Sequence, residues 1–167
     1  MKKVRIGSIG LGRLGYEHAK NISSMVPNAE LAALCDVDTD KLAVVAEELG
    51  VEKTYSDFAD MCANPNLDAV VIVSPSKFHS EHIRVAMEAG KHVFCEKPLD
   101  VTVEKCLETE KIVESHPNSL FMLGFMRRYD VSYQKAKAKI DNGDIGRVVL
   151  VRSYTQDPKT TIESTLK

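Results

Sequence analysis

A lysine placed directly after a short apolar run is the first feature of the sequence that could do chemistry. The run His92–Cys95 reads as a buried strand, and Glu96, Lys97 and Pro98 follow it at once. A strand that ends in a cation and a proline can present the cation to a ligand at the edge of a sheet. The same residues also fit an ordinary surface lysine before a turn proline, and taken alone they leave both interpretations open.

A glycine-rich turn near the amino terminus is the second such feature. Gly10, Gly12 and Gly15 form the pattern G-x-G-x-x-G at the end of the first apolar run, where a helical segment begins. The first glycine permits a tight turn, the second lets backbone approach a pyrophosphate, and the third lets helix and strand pack closely. Glycines also make ordinary strand–helix turns. Asp36, however, ends the next strand 21 residues after Gly15, and this combination predicts a dinucleotide site.

Asp36 also indicates which dinucleotide would bind. A carboxylate at this position accepts hydrogen bonds from the adenosine ribose hydroxyls and repels a 2′-phosphate. No arginine follows it in residues 37–40, and Asp38 or Thr39 serves better than Asp36 as the cap of the next helix. Arg13 is the only nearby cation in the sequence that would favour NADP. The sequence therefore predicts NAD as the cofactor in preference to NADP.

These residues must be positioned by a fold in which short apolar runs alternate with segments of helical period. The predicted strands cover residues 4–10, 29–36, 67–75, 92–95, 119–126 and 145–155. The predicted helices cover residues 13–25, 40–50, 77–90, 101–116 and 132–143. Such alternation predicts an α/β protein with a Rossmann-type, doubly wound parallel sheet and helices on both faces.

The end of the strand at residues 67–75 offers a second contact surface. Ser74 and Pro75 end a β-branched run, and ligands of open α/β sheets bind at the carboxyl ends of such strands. His79 lies just beyond. It fits either a ligand contact or a residue of the first helical turn with a solvated ring, and the residues alone do not decide between the two.

Composition excludes several other kinds of function. The 22 basic and 24 acidic residues are mixed along the chain and leave a net charge of -2, so no basic patch indicates nucleic-acid binding. No apolar run approaches the roughly 20 residues that span a membrane. The four cysteines are spaced widely and irregularly, which predicts buried thiols in a cytoplasmic protein and no metal site. They are Cys35, Cys62, Cys95 and Cys106.

Taken in order, these motifs resemble those of a known family. The glycine turn, Asp36, Ser74-Pro75, His79, Glu96-Lys97-Pro98 and the stretch GFMRRYD at residues 124–130 are similar to the glucose–fructose oxidoreductase and inositol dehydrogenase family of NAD(P)-dependent dehydrogenases. The likeness is strongest to inositol 2-dehydrogenases and covers essentially the whole chain. It implies oxidation of a CH–OH group of a cyclic polyol or sugar by hydride transfer to NAD. The alternative is a stand-alone NAD-binding module with a sensing or regulatory role, although such a module needs neither Lys97 nor Arg127.

The resemblance also implies roles for individual residues. Lys97 is the expected catalytic residue, Glu96 is expected beside the nicotinamide ribose, and the Lys97–Pro98 peptide bond is expected to be cis. Arg127 is the expected substrate contact. The residues assigned to the cofactor are Gly10, Gly12, Arg13, Leu14, Gly15, Asp36, Ser74, Pro75, His79, Glu96, Lys97 and Met126.

The expected domain organisation follows from the same likeness. Residues 1–125 are the predicted NAD-binding domain, and residues 126–167 are the predicted beginning of a C-terminal substrate and oligomerisation domain, with its first helix and first strand. Family members carry their acid/base histidine in that second domain, so the chain by itself is expected to be inactive. Residues 147–155 are apolar on both faces, so we expect them to be disordered or to pair with the same strand of a twofold partner in a homo-oligomer.

Overall fold

The computed structural model describes residues 2–156. The chain divides into two compact units, Met1–Phe125 and Met126–Lys167. The division falls where the sequence changes from alternating strands and helices to a helix with a largely polar surface.

The first unit is built on one parallel sheet of six strands in the order β3-β2-β1-β4-β5-β6. The strands are β1 (Val4–Ile9), β2 (Ala29–Cys35), β3 (Thr54–Tyr55), β4 (Ala69–Ile72), β5 (His92–Cys95) and β6 (Phe121–Leu123). This strand order is that of the dinucleotide-binding doubly wound fold, and the chain reverses direction across the sheet between β1 and β4. The predicted fold class is confirmed for this unit.

Five helices connect the strands, and residues at their ends explain where several of them begin and stop. They are α1 (Arg13–Ser24), α2 (Thr39–Leu49), α3 (Phe58–Cys62), α4 (His79–Glu88) and α5 (Val103–Ser115). Of the two predicted cap residues, Asp38 caps α2. Thr102 caps α5, and Gly50 ends α2 in the left-handed conformation. Within residues 2–156 no helix is long and apolar enough to cross a membrane.

Helices cover both faces of the sheet, and each face has its own apolar core. On one face α1 and α2 pack against Leu31, Leu34 and Val71. On the other, α3 and α4 pack against Val70 and Ile72. Neighbouring residues of β4 thus point into opposite cores, which explains why its sequence is an unbroken β-branched run.

The second unit contains a turn of 3-10 helix at Met126–Arg128 and the helix α6 (Val131–Asp141). Asp130 caps α6, as its two hydrogen bonds to the N–H groups of Ser132 and Tyr133 indicate. The strand predicted at residues 145–155 is wrong, because no residue of this segment lies in a strand. Residues 147–156 have no regular structure and are exposed, and none of the strands within residues 2–156 pairs with them. The homo-oligomer stays a prediction, and residues 157–167 of the expected second domain lie outside the described residues.

Candidate functional site

The glycine turn brings β1, β4 and α1 into contact at the carboxyl edge of the sheet. Gly10 has a φ of 87°, and a Cβ atom there would lie 2.6 Å from the Ser74 backbone nitrogen. A Cβ atom on Gly15 would lie 1.7 Å from the Gly10 carbonyl oxygen. Both positions therefore require glycine for the protein's own packing.

Gly12 differs from the other two glycines of the turn. Its backbone is in an ordinary extended conformation, and a Cβ atom there would meet nothing within 4 Å. It precedes α1, whose N-terminus has no side-chain cap and no acidic residue in the first turn. The first N–H groups of a helix lack intrahelical partners and attract anions, so the space at Gly12 fits a pyrophosphate. Arg13 and Leu14 lie in this first turn and are exposed.

Asp36 is buried just beyond the end of β2 and reaches back to the glycine turn. Its Oδ2 accepts a hydrogen bond from the Leu11 N–H at 2.6 Å, and its Oδ1 accepts one from the Asp38 N–H at 2.9 Å. Burial alone would raise the pKa of this carboxyl group. The N–H groups of Asp38 and Leu11 and the ammonium group of Lys41 outweigh burial, so the pKa of Asp36 is lower than usual and the carboxylate is the stable form.

Lys41 is a cation that the sequence analysis did not find. Its Nζ lies 3.0 Å from Asp36 Oδ2, so the prediction that Arg13 is the one cation near Asp36 is wrong. A signal was present in the sequence, because Lys41 lies in the first turn of α2. Helical side chains lean toward the helix N-terminus, and here that direction leads back to Asp36.

A mostly apolar cavity of about 410 Å³ adjoins Asp36 at the same edge of the sheet. Pro75 and His82 line it, with Val37 and Phe58. The Oγ of Ser74 lies 2.8 Å from His82 Nδ1, and the His82 ring packs against Phe58 with ring centroids 4.7 Å apart. Burial lowers the pKa of His82, so the neutral ring is favoured in this wall. A flat aromatic group such as a nucleobase fits a cavity of this size and character.

His79 lies beneath this surface. The residue is only 1% exposed, its Nε2 lies 2.8 Å from the Ser74 carbonyl oxygen and its Nδ1 lies 2.6 Å from the Pro98 carbonyl oxygen. The ring thus connects the end of β4 to the turn after β5. Both ring nitrogens lie within hydrogen-bond distance of a backbone carbonyl oxygen, and contact between His79 and the cofactor stays a prediction.

The Glu96-Lys97-Pro98 turn follows β5, as predicted, and the Lys97–Pro98 peptide bond is cis. Glu96 Oε2 accepts a hydrogen bond from the Lys97 N–H at 3.1 Å, and Glu96 Oε1 lies 3.0 Å from His18 Nε2. A Cβ atom on Gly124 would come within 3.2 Å of the Glu96 carboxylate, so glycine there makes room for it. Lys97 is exposed, and within residues 2–156 its ammonium group forms no ion pair.

His18 is the second contact that the sequence analysis missed. It lies three residues after Gly15 on α1, beside the buried Ala19, and its ring centroid is 5.5 Å from that of Phe94 in β5. Its position one turn after a buried glycine predicts a side chain near the sheet. Its partner, Glu96, is 78 residues away in sequence, and no local pattern reveals such a contact.

Cys95 ends β5, and two further residues predicted for the site, Met126 and Arg127, belong to the second unit. Burial raises the pKa of Cys95 to about 12, so this thiol is inert, as expected for a buried cysteine. Met126 and Arg127 lie in the 3-10 turn of the second unit. Both are exposed, and the Arg127 guanidinium lies 3.4 Å from Asp130 and over the Tyr133 ring.

The glycine turn, the uncapped α1 and the acidic residue after β2 meet where the strand order reverses, and together they define a Rossmann-type dinucleotide-binding protein. Residues 4–125 match the family described as "Oxidoreductase family, NAD-binding Rossmann fold", and the chain belongs to that family.

Several inositol dehydrogenases are similar in sequence to nearly the whole of this chain. A scyllo-inositol 2-dehydrogenase (NAD(+)) of Bacillus subtilis (strain 168) is 41% identical over 93% of this chain and 45% of its own length. A myo-inositol 2-dehydrogenase of Thermotoga maritima is 40% identical over 93% of this chain and 46% of its own length. The crystal structure of the Lactobacillus casei scyllo-inositol dehydrogenase with NAD(H) and scyllo-inositol is 45% identical, with a TM-score of 0.93 over 99% of this chain and 48% of that one. The chain spans about half the length of the curated relatives it matches.

Proposed function

We propose that this chain is the cofactor-binding part of an NAD-dependent dehydrogenase that oxidises a CH–OH group of a cyclic polyol of the inositol type. One observation carries the proposal: the glycine turn, Asp36 and Lys97 follow β1, β2 and β5, whose carboxyl ends share one edge of a parallel sheet. The names of the similar enzymes supply the substrate class.

The residues of this edge fit the successive parts of NAD. Asp36 Oδ2 accepts a hydrogen bond from the Leu11 N–H and pairs with Lys41, and Oδ1 accepts one from the Asp38 N–H. The two oxygens can still accept hydrogen bonds from ribose hydroxyl groups. The adenine ring fits the apolar cavity beside Pro75 and His82. The pyrophosphate fits the open space at Gly12, before the N-terminus of α1. The nicotinamide end then extends toward Glu96 and Lys97.

The chemistry assigned to the protein is the handling of a proton and of developing charge. When bound, NAD supplies an acceptor for the hydride that leaves the CH–OH carbon. Lys97 interacts with the reacting hydroxyl group, and its positive charge favours loss of the hydroxyl proton as the carbonyl forms. Glu96, held by His18 and by the Lys97 N–H, fixes the backbone from which Lys97 extends.

None of the five histidines of the chain is placed to accept the proton. Each is close to another protein group: His18 to Glu96, His79 to Ser74 and Pro98, His82 to Ser74, His92 to Leu120, and His116 to Ile112. We therefore assign proton acceptance to a second domain that begins at residue 126, in which Arg127 contacts the substrate and Met126 the cofactor. The ammonium group of Lys97 forms no ion pair within residues 2–156, and this favours a dehydrogenase over a module that only binds NAD.

The purified 167-residue chain is expected to bind NAD but to form no NADH from myo-inositol or scyllo-inositol. The physical reason is that residues 2–156 offer a cofactor site and a lysine but no histidine assigned to proton acceptance. Titration calorimetry measures the binding, and absorbance of NADH measures the reaction. A folded chain that binds no NAD would refute the proposed site. NADH formation by this chain alone would show that no second domain is needed.

A further inference from the structure

The ion pair between Lys41 and Asp36 lies where the adenosine ribose is expected. Lys41 Nζ is 3.0 Å from Asp36 Oδ2, and the Asp36 side chain is only 8% exposed. Asp38 Oδ2 is farther from the same ammonium group, at 4.0 Å, and the Asp38 side chain is 55% exposed. Lys41 therefore pairs mainly with the buried carboxylate, which weakens the view that the net negative charge of Asp36 is what rejects NADP.

The pair has a consequence for any cofactor that carries a 2′-phosphate. With Lys41 engaged, the Asp36 oxygens face the ribose and can accept hydrogen bonds from hydroxyl groups, but a phosphate offers them none. If the Asp36 carboxylate is removed, the Lys41 ammonium group loses its main partner and is left with the more distant Asp38. A phosphate carries roughly -1.5 to -2 charges and binds lysine strongly.

We propose that Lys41 is a specificity-determining residue for the cofactor. It holds Asp36 as a carboxylate directed at the ribose hydroxyls, and it becomes the binding partner of a 2′-phosphate once Asp36 is replaced. The proposal rests on the NAD site of the proposed function. It predicts that NADP can be admitted by removing one carboxylate, because the required cation is already in place.

The test is a titration of the 167-residue chain with NAD and with NADP. The wild type is expected to prefer NAD by about tenfold or more. Asp36→Ser is expected to reverse the preference, with NADP affinity rising about 10- to 100-fold. Asp36→Ser combined with Lys41→Gln is expected to lose that gain. The matched control combines Asp36→Ser with Lys53→Gln, which removes an exposed lysine that forms no ion pair with Asp36 and should keep the gain.

Asp36 also accepts two backbone hydrogen bonds, and the serine variant loses them. A second variant is therefore tested in case the serine variant does not fold. Asp36→Asn keeps the shape of the side chain and one of its two acceptor oxygens, and it is expected to give the same order of affinities. Lys41→Gln alone is expected to weaken NADP binding more than NAD binding and so to widen the preference for NAD, since the carboxylate then repels the phosphate without compensation.

Three outcomes would overturn the proposal. An equal NADP gain with and without Lys41 would assign the phosphate to another cation, such as Arg13. If Lys53→Gln removed the NADP gain as fully as Lys41→Gln does, the net charge of the chain, and not the position of Lys41, would set the NADP affinity. If wild-type chain binds NAD and Lys41→Gln leaves the ratio of affinities unchanged, the role of Lys41 is wrong while the NAD site stands. A folded wild-type chain that binds neither nucleotide would instead refute the NAD site itself.

Discussion

Replacing Lys97 by methionine is expected to lower turnover by about 10²-fold or more while NAD affinity stays nearly unchanged. Lys97 is exposed and its ammonium group forms no ion pair within residues 2–156, so its removal leaves no buried group without a partner. Methionine keeps the length of the side chain and removes the charge. The expected loss is therefore confined to the chemical step.

Two preparations are needed to measure this effect. Turnover is measured in a full-length relative, at the lysine of the same Glu-Lys-Pro motif. NAD affinity and thermal unfolding are measured in this chain with Lys97→Met, and Lys53→Met serves as the control for loss of one exposed lysine. A relative that turns over normally, or a variant of this chain that unfolds, would show that the lysine is not a catalytic residue.

Alanine at Gly12 and alanine at Gly15 are expected to fail in different ways. A Cβ atom on Gly15 would lie 1.7 Å from a backbone oxygen that cannot move without disrupting the turn. Gly15→Ala is therefore expected to lower the free energy of unfolding by about 1–3 kcal/mol or more and to abolish NAD binding. Gly12 has an ordinary backbone conformation and open space, so Gly12→Ala is expected to change stability by no more than about 0.5 kcal/mol.

Gly12→Ala is nevertheless expected to weaken NAD binding by about tenfold or more, because the added methyl group occupies the space assigned to the pyrophosphate. Urea unfolding and calorimetric titration of the two variants measure stability and affinity separately. If Gly12→Ala bound NAD as tightly as the wild type, the pyrophosphate would have to lie elsewhere. If Gly15→Ala were as stable as the wild type, the close contact with Gly10 would be wrong.

Features that depend on neighbouring residues were predictable from the sequence. The strand His92–Cys95 has the predicted bounds, and Asp38, one of the two residues predicted as a cap, caps α2. These features depend on apolar runs and on side chains that bond to nearby backbone. The short strand Thr54–Tyr55 was not predicted, because two residues are too few to show an alternating hydrophobic pattern.

Features that depend on distant partners were not predictable in the same way. The segment 147–156 has the apolar pattern of a strand, but a strand also requires a neighbour, and the described residues 2–156 provide none for it. The sequence leaves the role of His79 open, and only the structure shows two carbonyl oxygens beside its ring. The pairing of His18 with Glu96 arises only when the fold brings the His18 ring beside Phe94 of β5.

The central claim is that the glycine turn, Asp36 and the Glu96-Lys97 turn form one site for a single molecule of NAD. An NMR titration of the 18.5 kDa chain, with ¹⁵N labels on the backbone amides, tests it most directly. The predicted result is that the amides of residues 11–15, 36–38 and 96–97 shift together, with one common affinity. Shifts at residues 11–15 and 36–38 alone would leave the nicotinamide away from Lys97 and contradict the claim, as would a folded chain in which none of these amides responds.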